Sequence, residues 1–170
     1  MASLLKVENI SHTNGTAAMT IDSDGVVKIT QSPCFFITGN NGAYITTSPI
    51  VFAITLIDTR SGVDLTNNKY VVPVAGRWQF HVQLGIVGVT GTGACYPVIQ
   101  KTPSGGSATS YGYSYYQPVN SAGVTSYSHL DVDAIVDCDV GDSISVAFTQ
   151  TTGNYYNGPN ECRFFGYFLG

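Results

Sequence analysis

The carboxylates between residues 131 and 142 are the side chains best suited to chemistry in this sequence. Paired carboxylates can act as acid and base in glycoside hydrolysis, and clustered carboxylate oxygens can bind Ca²⁺. Alternate residues of a strand share one face, so four of these aspartates are predicted to line an outer face. The four are Asp131, Asp133, Asp137 and Asp139. A solvated strand face is the simplest interpretation, and calcium binding by these residues is the weaker alternative.

Other catalytic signatures are missing from the sequence. There is no Gly-x-Ser-x-Gly nucleophile motif, and no phosphate-cradling glycine loop precedes a helix. We predict that His12 lies in a turn and that His81 and His129 are polar residues of strand faces. The protein is therefore expected not to be an enzyme and, apart from the calcium alternative, to have no cofactor.

The four cysteines are the next reactive groups: Cys34, Cys95, Cys138 and Cys162. They form no CxxC pair and have no histidine at zinc-type spacing, which argues against a zinc site. Free thiols in the core are the simplest interpretation. A disulfide such as Cys95 with Cys162 remains open, because connectivity cannot be read from sequence.

Tyrosines are concentrated in one short stretch, at positions 111, 113, 115 and 116, beside Gly- and Ser-rich segments. Aromatic faces of this kind can stack on sugar rings or on protein surfaces. Tyr111, Tyr113, Tyr115 and Tyr116 are therefore candidate contacts to a host-surface glycan or protein. The alternative is that these rings pack against a neighbouring part of the assembly.

Composition limits the classes of partner. The chain has 170 residues, of which only 11% are charged, with a net charge of -4 and a pI near 5.0. Nucleic acid is not expected as a partner, because phosphate recognition needs a basic patch. No apolar run approaches the ~20 residues that cross a bilayer, so membrane insertion is not expected. Residues 1–8 are too short and polar for a signal peptide, which favours synthesis and assembly in a bacterial or host cytosol.

Strand signals run through the whole chain, and no helix-period amphipathic stretch interrupts them. Residues 77–84 alternate strictly between polar and apolar, and residues 50–57 are apolar on both faces, as in a strand buried on both sides. Two strands are predicted to flank a Gly141-Asp142 turn, with apolar residues 136, 138 and 140 before it and 144, 146 and 148 after it. The aromatic segment 163–170 is predicted to be a central strand, since an unpaired apolar terminus would aggregate. The fold class is all-β, a sandwich of short strands.

Four motifs in order resemble the C1q/TNF-like jelly-roll family. They are Cys34-Phe-Phe, Val72-Pro-Val-Ala-Gly-Arg-Trp-Gln-Phe80, the apolar strand into the Gly-Asp turn at 136–146, and Phe164-Phe-Gly-Tyr-Phe-Leu169. Segment 100–126 is longer than usual for the family, and no collagen stem is present. The resemblance implies a homotrimer packed through aromatic and aliphatic side chains of one sheet. Candidate interface residues are Tyr155, Tyr156, Phe165 and Tyr167.

Residues 7–25 resemble a segment that precedes such heads in bacteriophage fibre and virion proteins, with His12 departing from the pattern. The resemblance implies an attachment or trimer-winding arm at 1–31 and a jelly-roll head at 32–170. It implies a virion structural protein, a capsid decoration, head fibre or tail-fibre knob, exposed on the virion surface and docked on a capsid or tail protein through the arm. A lectin-like receptor-binding module and a bacterial surface or spore protein are the alternatives.

Overall fold

A computed structural model of the chain describes residues 9–11, 17–21, 23–29, 32–40, 42–87, 89, 93–115 and 127–170. The chain separates into two compact units, Met1–Ser32 and Pro33–Gly170. All regular secondary structure in the described ranges is β-strand, which confirms the all-β prediction. Within those ranges no helix is long and apolar enough to cross a bilayer.

The first unit contains a small antiparallel sheet in its described part. Its strands are β1 (Asn9–Ser11), β2 (Ala17–Ile21) and β3 (Val27–Ile29), in that spatial order. Ile10 and Val27 are each about half exposed, so these strands leave apolar side chains in solvent. The attachment role of this segment stays a prediction.

The second unit is a sandwich of two antiparallel sheets. Its strands are β4 (Cys34–Thr38), β5 (Tyr44–Ile45), β6 (Ile54–Asp58), β7 (Val63–Asp64), β8 (Lys69–Val71), β9 (Gly76–Val87), β10 (Cys95–Thr102), β11 (Thr109–Tyr113), β12 (Tyr127–Cys138), β13 (Ser143–Gln150), β14 (Asn154–Tyr156) and β15 (Cys162–Phe168). In the described residues, the larger sheet has the hydrogen-bonded order β5-β14-β9-β15-β4-β6. β15 and β14 follow one another along one edge of β9, and β12 pairs with its other edge. The smaller sheet has the order β11-β10-β13-β8-β7.

Strand β9 supplies the centre of the core. Trp78, Phe80, Val82 and Leu84 are completely buried, and the intervening polar side chains point to the other face, as the alternation predicts. The rings of Trp78 and Phe80 stack with centroids 6.0 Å apart, and Tyr70 from the smaller sheet lies 5.5 Å from Trp78. The core thus lies between the two sheets, with aromatic rings on both sides.

Strand β15 is paired on both edges, with β9 and with β4, so the prediction of a central C-terminal strand is confirmed. Phe164 is fully buried against Phe35 and Phe52 at 4.9 and 5.6 Å. Gly166 is required by close packing: an added Cβ would lie 2.6 Å from Cδ1 of Phe80 and 2.7 Å from Cε1 of Phe35. The parity of β15 is therefore fixed, with Phe165 and Tyr167 on the outer face.

The prediction for residues 50–57 was wrong. Residues 50–57 do not form a strand buried on both sides: only Ile50 and Phe52 are buried, and β6 is an edge strand on which Leu56 is 56% exposed. The run is apolar because its first half enters the core as an extended segment, while its second half leaves apolar side chains on a sheet surface.

The Gly141-Asp142 turn joins two different sheets and does not close a hairpin. β12 pairs with β9 in the larger sheet, whereas β13 pairs with β10 and β8 in the smaller one. Gly141 has φ +89°, which favours glycine. Buried Asp142 accepts a hydrogen bond from the backbone of Asp139 at 3.0 Å and lies 3.3 Å from Nζ of Lys101. Val140 is 64% exposed at this corner, so its predicted core position was wrong.

The four cysteines are free thiols, as the simpler interpretation predicted. Cys95, Cys138 and Cys162 are buried, whereas Cys34 is half-buried on β4. Burial raises the pKa of Cys95 to about 12, that of Cys138 to about 11 and that of Cys162 to about 12.

The substitution Phe164→Ala should lower the free energy of unfolding by about 3–5 kcal/mol, because it removes a fully buried ring between the sheets. Val140→Ala, at the exposed corner, should change it by less than ~0.5 kcal/mol. Urea denaturation of both variants at one fixed protomer concentration measures the difference. Equal effects of the two substitutions would contradict this placement of β15.

Alkylation should distinguish Cys34 from the other thiols. The thiolate is the reactive form, and a raised pKa leaves almost none of it at about pH 8 for Cys95, Cys138 and Cys162. Iodoacetamide should therefore add at most one group to the native protein, at Cys34, and four after unfolding in urea. Peptide mass spectrometry locates the adducts, and rapid native labelling of a buried cysteine would contradict the structure.

Candidate functional site

A continuous cross-strand row of side chains crosses the outer face of the larger sheet. The register places Phe165 opposite Phe36 on one side and opposite His81 on the other. The row continues from Phe36 to Ile57 on β6 and from His81 to Asp133 on β12. We call these five residues the central row. From one edge of the sheet to the other, the row runs from an isoleucine through two phenylalanine rings to a histidine–aspartate pair.

Ring contacts hold the middle of the central row. The ring of Phe36 meets that of Phe165 edge-on, with centroids 5.9 Å apart. On the other side, the His81 imidazole stacks on Phe165 with centroids 4.7 Å apart and an interplanar angle of 28°. Ile57 at the end of the row is 46% exposed. The face therefore presents ordered apolar surface to its surroundings.

His81 links this aromatic surface to the carboxylates of β12. Its Nδ1 lies 3.0 Å from Oδ1 of Asp133, and its Nε2 lies 3.3 Å from Oδ1 of Asp131. A protonated imidazole donates to both carboxylates, whereas a neutral ring donates to one of them. Further along the same two strands, Nε of Arg77 donates to Oδ1 of Asp137 at 3.1 Å.

The aspartates proposed for calcium thus have other partners. Asp131, Asp133 and Asp137 lie exposed on one face of β12, as their parity predicted, and each meets a side chain of β9. Asp139 lies beyond the end of β12, at the corner with Asp142. Within the described ranges, no group of three or more His, Cys, Asp or Glu side chains is arranged to hold a metal ion. Asp137 is paired with the guanidinium of Arg77, and Asp131 and Asp133 are both in contact with the imidazole of His81.

A groove of about 470 Å³ lies along the same face, between β6, β4, β15 and β9. Phe36, Ile57 and Phe165 line it together with Cys34 and Tyr167. Polar side chains border this apolar floor. The Tyr167 hydroxyl donates to Oε1 of Gln79 at 2.7 Å, and Arg163 is held by Asn160 through Nη2 at 3.1 Å. An apolar centre with an ordered polar rim is typical of protein–protein interfaces.

The four residues predicted for the trimer interface divide between this face and the core. Phe165 and Tyr167 lie on the outer face of β15. Tyr156 lies at the far end of the same sheet, with its ring 5.3 Å from that of the exposed Tyr44.

The prediction was wrong for Tyr155, because that side chain is completely buried within its own protomer. Its ring packs edge-on against Phe148 at 5.1 Å, and its hydroxyl accepts a hydrogen bond from the backbone of Val51 at 3.0 Å. Burial raises the pKa of this phenol. An apolar pocket with one backbone donor accommodates both the ring and the hydroxyl of tyrosine, so Tyr155 is a core residue.

A second groove, also about 470 Å³, lies on the outer face of the smaller sheet. Three tyrosines meet there: the ring of Tyr96 lies 5.6 Å from that of Tyr113 and 5.4 Å from that of Tyr115. Val98 also lines this groove. Its remaining lining residues are the polar Gln100, Ser110 and Thr149. We call this site the tyrosine groove.

The predicted tyrosine set is only partly brought together. Tyr113 and Tyr115 share the groove, whereas Tyr111 does not line it and lies 5.9 Å from Nζ of Lys101. Tyr116 falls outside the described residues. Sequence reasoning missed Tyr96 and Phe36. The alternation of the sequence could have identified both residues as outward-facing aromatic side chains, because each is flanked in its strand by residues that face the core.

Comparison with known proteins identifies the fold. No family model matches the chain, and no curated protein is similar to it in sequence. Among solved structures, Eiger TNF from S. frugiperda superposes with a TM-score of 0.68 at 12% identity, over 82% of this chain and 94% of that one. Murine APRIL gives 0.63 at 13% identity, over 81% and 99% of the two chains. The globular domain of zebrafish complement 1qA gives 0.56 at 17% identity, over 82% and 98%. The chain therefore has the C1q/TNF-like jelly-roll fold, as its motifs predicted.

Proposed function

We propose that the chain is a virion structural protein that forms a homotrimer through the outer face of the larger sheet. The central row is the observation that carries the proposal. It arranges Phe36, Phe165 and Ile57 as contiguous apolar surface around a groove, on the face opposite the protomer's own core.

Burial of this surface supplies the driving force for assembly. Removing apolar area from water contributes about 25 cal/mol per Å², or about 1.5–3 kcal/mol for a fully buried large side chain. Each protomer offers three large apolar side chains in the row, and because Phe36 and Phe165 are already half-buried, each of these contributes only part of that amount. Their rings are already in contact, so little further side-chain entropy is lost when they are covered.

The polar groups of the face suit an interface that is not fully dry. Asp131 and Asp133 share the partner His81, and the Tyr167 hydroxyl donates to Gln79. Because these groups already have partners within the protomer, covering the neighbouring apolar groove leaves few of them unpaired. The charged edge at β12 forms the rim in this arrangement, and the aromatic centre is the desolvated region.

Three subunits are proposed on the strength of the resemblance to C1q/TNF-like heads, which pack around a threefold axis. The fold shared with TNF and C1q domains supports this choice. Tyr156 and Tyr44, at the end of the same sheet, would extend the contact along that axis.

The virion role rests on the arm. Residues 1–31 resemble the segment that precedes such heads in phage fibre and virion proteins, and the strands β1–β3 leave Ile10 and Val27 exposed. In this proposal the arm docks on a capsid or tail protein, assembly takes place in the host cytoplasm, and the head is exposed on the virion surface. The alternatives, a lectin-like receptor-binding module and a bacterial surface or spore protein, share the trimeric head and differ in what the arm and loops bind.

The substitution Phe165→Asp should dissociate the trimer, because it places a carboxylate in the apolar centre of the row, beside the ring of Phe36. Light scattering should give three times the 18.1 kDa chain mass for the wild type and the single chain mass for the variant. Val140→Asp, at the exposed corner, is the matched control and should remain trimeric. A wild-type monomer or dimer, or dissociation by the control alone, would refute the proposed interface.

Removal of residues 1–31 should leave the head trimeric and abolish its attachment to the particle. Full-length and truncated proteins are mixed with purified particles of the phage that encodes the chain, from which the native copy has been deleted, and sedimented together. Only the full-length protein should co-sediment. Loss of the trimer on truncation would instead make the arm the clasp, and equal co-sedimentation would place the docking surface in the head.

A further inference from the structure

We propose that the tyrosine groove of the smaller sheet is a binding site for a neutral saccharide. The proposal goes beyond the assembly function, because the groove lies within one protomer and shares no residue with the central row. It also assigns the groove to residues that the sequence pattern did not single out, notably Tyr96 and Gln100.

The first argument is the arrangement of aromatic faces. Tyr113 is 67% exposed and Tyr115 is 53% exposed, and both rings contact that of Tyr96. Their rings are tilted by 50° and 39° to the Tyr96 ring, so the three form an angular trough and not a flat platform. The C–H faces of a pyranose ring pack against aromatic faces of this kind, and a trough contacts one sugar on more than one side.

The second argument is the polar inventory of the groove. Gln100, Ser110 and Thr149 supply an amide and two hydroxyls, which can donate and accept hydrogen bonds. The Gln100 amide is held only weakly, since its Nε2 lies 3.5 Å from Oγ of Ser110. Its donor capacity therefore remains for a ligand. Sugar hydroxyls also donate and accept, so they match this set of groups.

Charge selects among the ligand classes. The described residues that line the groove are all uncharged. Phosphate, sulfate and carboxylate ligands are usually held by Arg or Lys, and cationic ligands by carboxylates. The described residues that line the groove include neither an Arg or Lys nor a carboxylate. A neutral sugar needs no counter-charge, so a neutral saccharide is the class that fits the groove.

The size of the groove suits a small ligand. The volume of about 470 Å³ lies within the range of about 300–1,000 Å³ that is typical of small-molecule sites. The trough therefore has room for a short oligosaccharide.

The first test is a printed array of neutral oligosaccharides of glucose, galactose, mannose and N-acetylglucosamine, with 3′-sialyllactose and sulfated lactose as charged comparisons. The full-length protein should bind one or more neutral glycans saturably. The best trisaccharide is then titrated by calorimetry in solution. Absence of saturable binding to every neutral glycan, or binding confined to the charged ones, would overturn the proposal.

Variants of the groove identify the site. Tyr113→Ala and Tyr96→Ala should each weaken binding of that trisaccharide by at least about tenfold, because an aromatic stacking face is lost. Tyr113→Phe keeps the face and should bind within roughly threefold of wild type. Tyr111→Ala is the matched control, since Tyr111 lies by Lys101 outside the groove, and it should bind as the wild type does. Undiminished binding by both alanine variants of the groove would refute the assignment. Thermal unfolding of each variant establishes that the fold is retained.

The Phe165→Asp variant separates this proposal from the assembly proposal. Each isolated protomer should bind the trisaccharide in solution with the wild-type affinity per site, while its retention on the array decreases because multivalent contact is lost. Loss of solution binding in a folded monomeric variant would show that the site is not contained in one protomer, as proposed here.

Discussion

Strand β9 is the constraint on which the rest of the head depends. It pairs along nearly its whole length with β12 on one edge and with β15 and then β14 on the other. Its backbone is therefore satisfied within the sheet, and the alternation of its side chains can define two surfaces at once. Trp78 and Phe80 organise the core on one side, and His81 takes the middle of the outer face on the other. A slip of one residue would exchange the two surfaces.

This double role explains why an acidic strand can border an aromatic surface. β12 presents three exposed carboxylates on the side on which β9 presents Arg77 and His81, and the register brings each carboxylate within reach of one of these two side chains. Each carboxylate therefore has a nitrogen partner on the neighbouring strand. The imidazole also stacks on Phe165, so one side chain joins the charged edge to the apolar centre. The side chain of His81 therefore contacts both the carboxylates of β12 and the aromatic ring of Phe165.

The sequence predicted faces better than it predicted neighbours. Strict alternation assigned the inward residues of β9 correctly, and the aromatic C-terminal run was correctly expected at the centre of a sheet. Periodicity carries no information on pairing, so the two strands predicted to flank the Gly141-Asp142 turn could not be assigned to different sheets from the sequence. Likewise, Tyr155 was assigned to an outer face by its residue type. The backbone donor of Val51 that satisfies its hydroxyl comes from a segment 104 residues away. Tyr96 was overlooked because it is the single aromatic residue of β10, and its neighbour Tyr113 is brought near it by the pairing of β10 with β11.

The two grooves lie on opposite outer faces of one sandwich, and their lining residues give them different chemistry. The floor of the groove on the larger sheet is formed by phenylalanine and isoleucine, whose side chains cannot form hydrogen bonds with water. This groove is suited to be covered by another protein surface. The tyrosine groove carries hydroxyls and an amide at its margin, so it is stable when wet and can exchange water for a ligand. If the larger sheets of three protomers meet at an axis, their smaller sheets face outward, and each trimer presents three tyrosine grooves to its surroundings. Sites that are individually weak then act together on a glycan-bearing surface, since the second and third contacts are intramolecular and are favoured by effective concentration. Assembly through one sheet would in this way set the valency of recognition through the other.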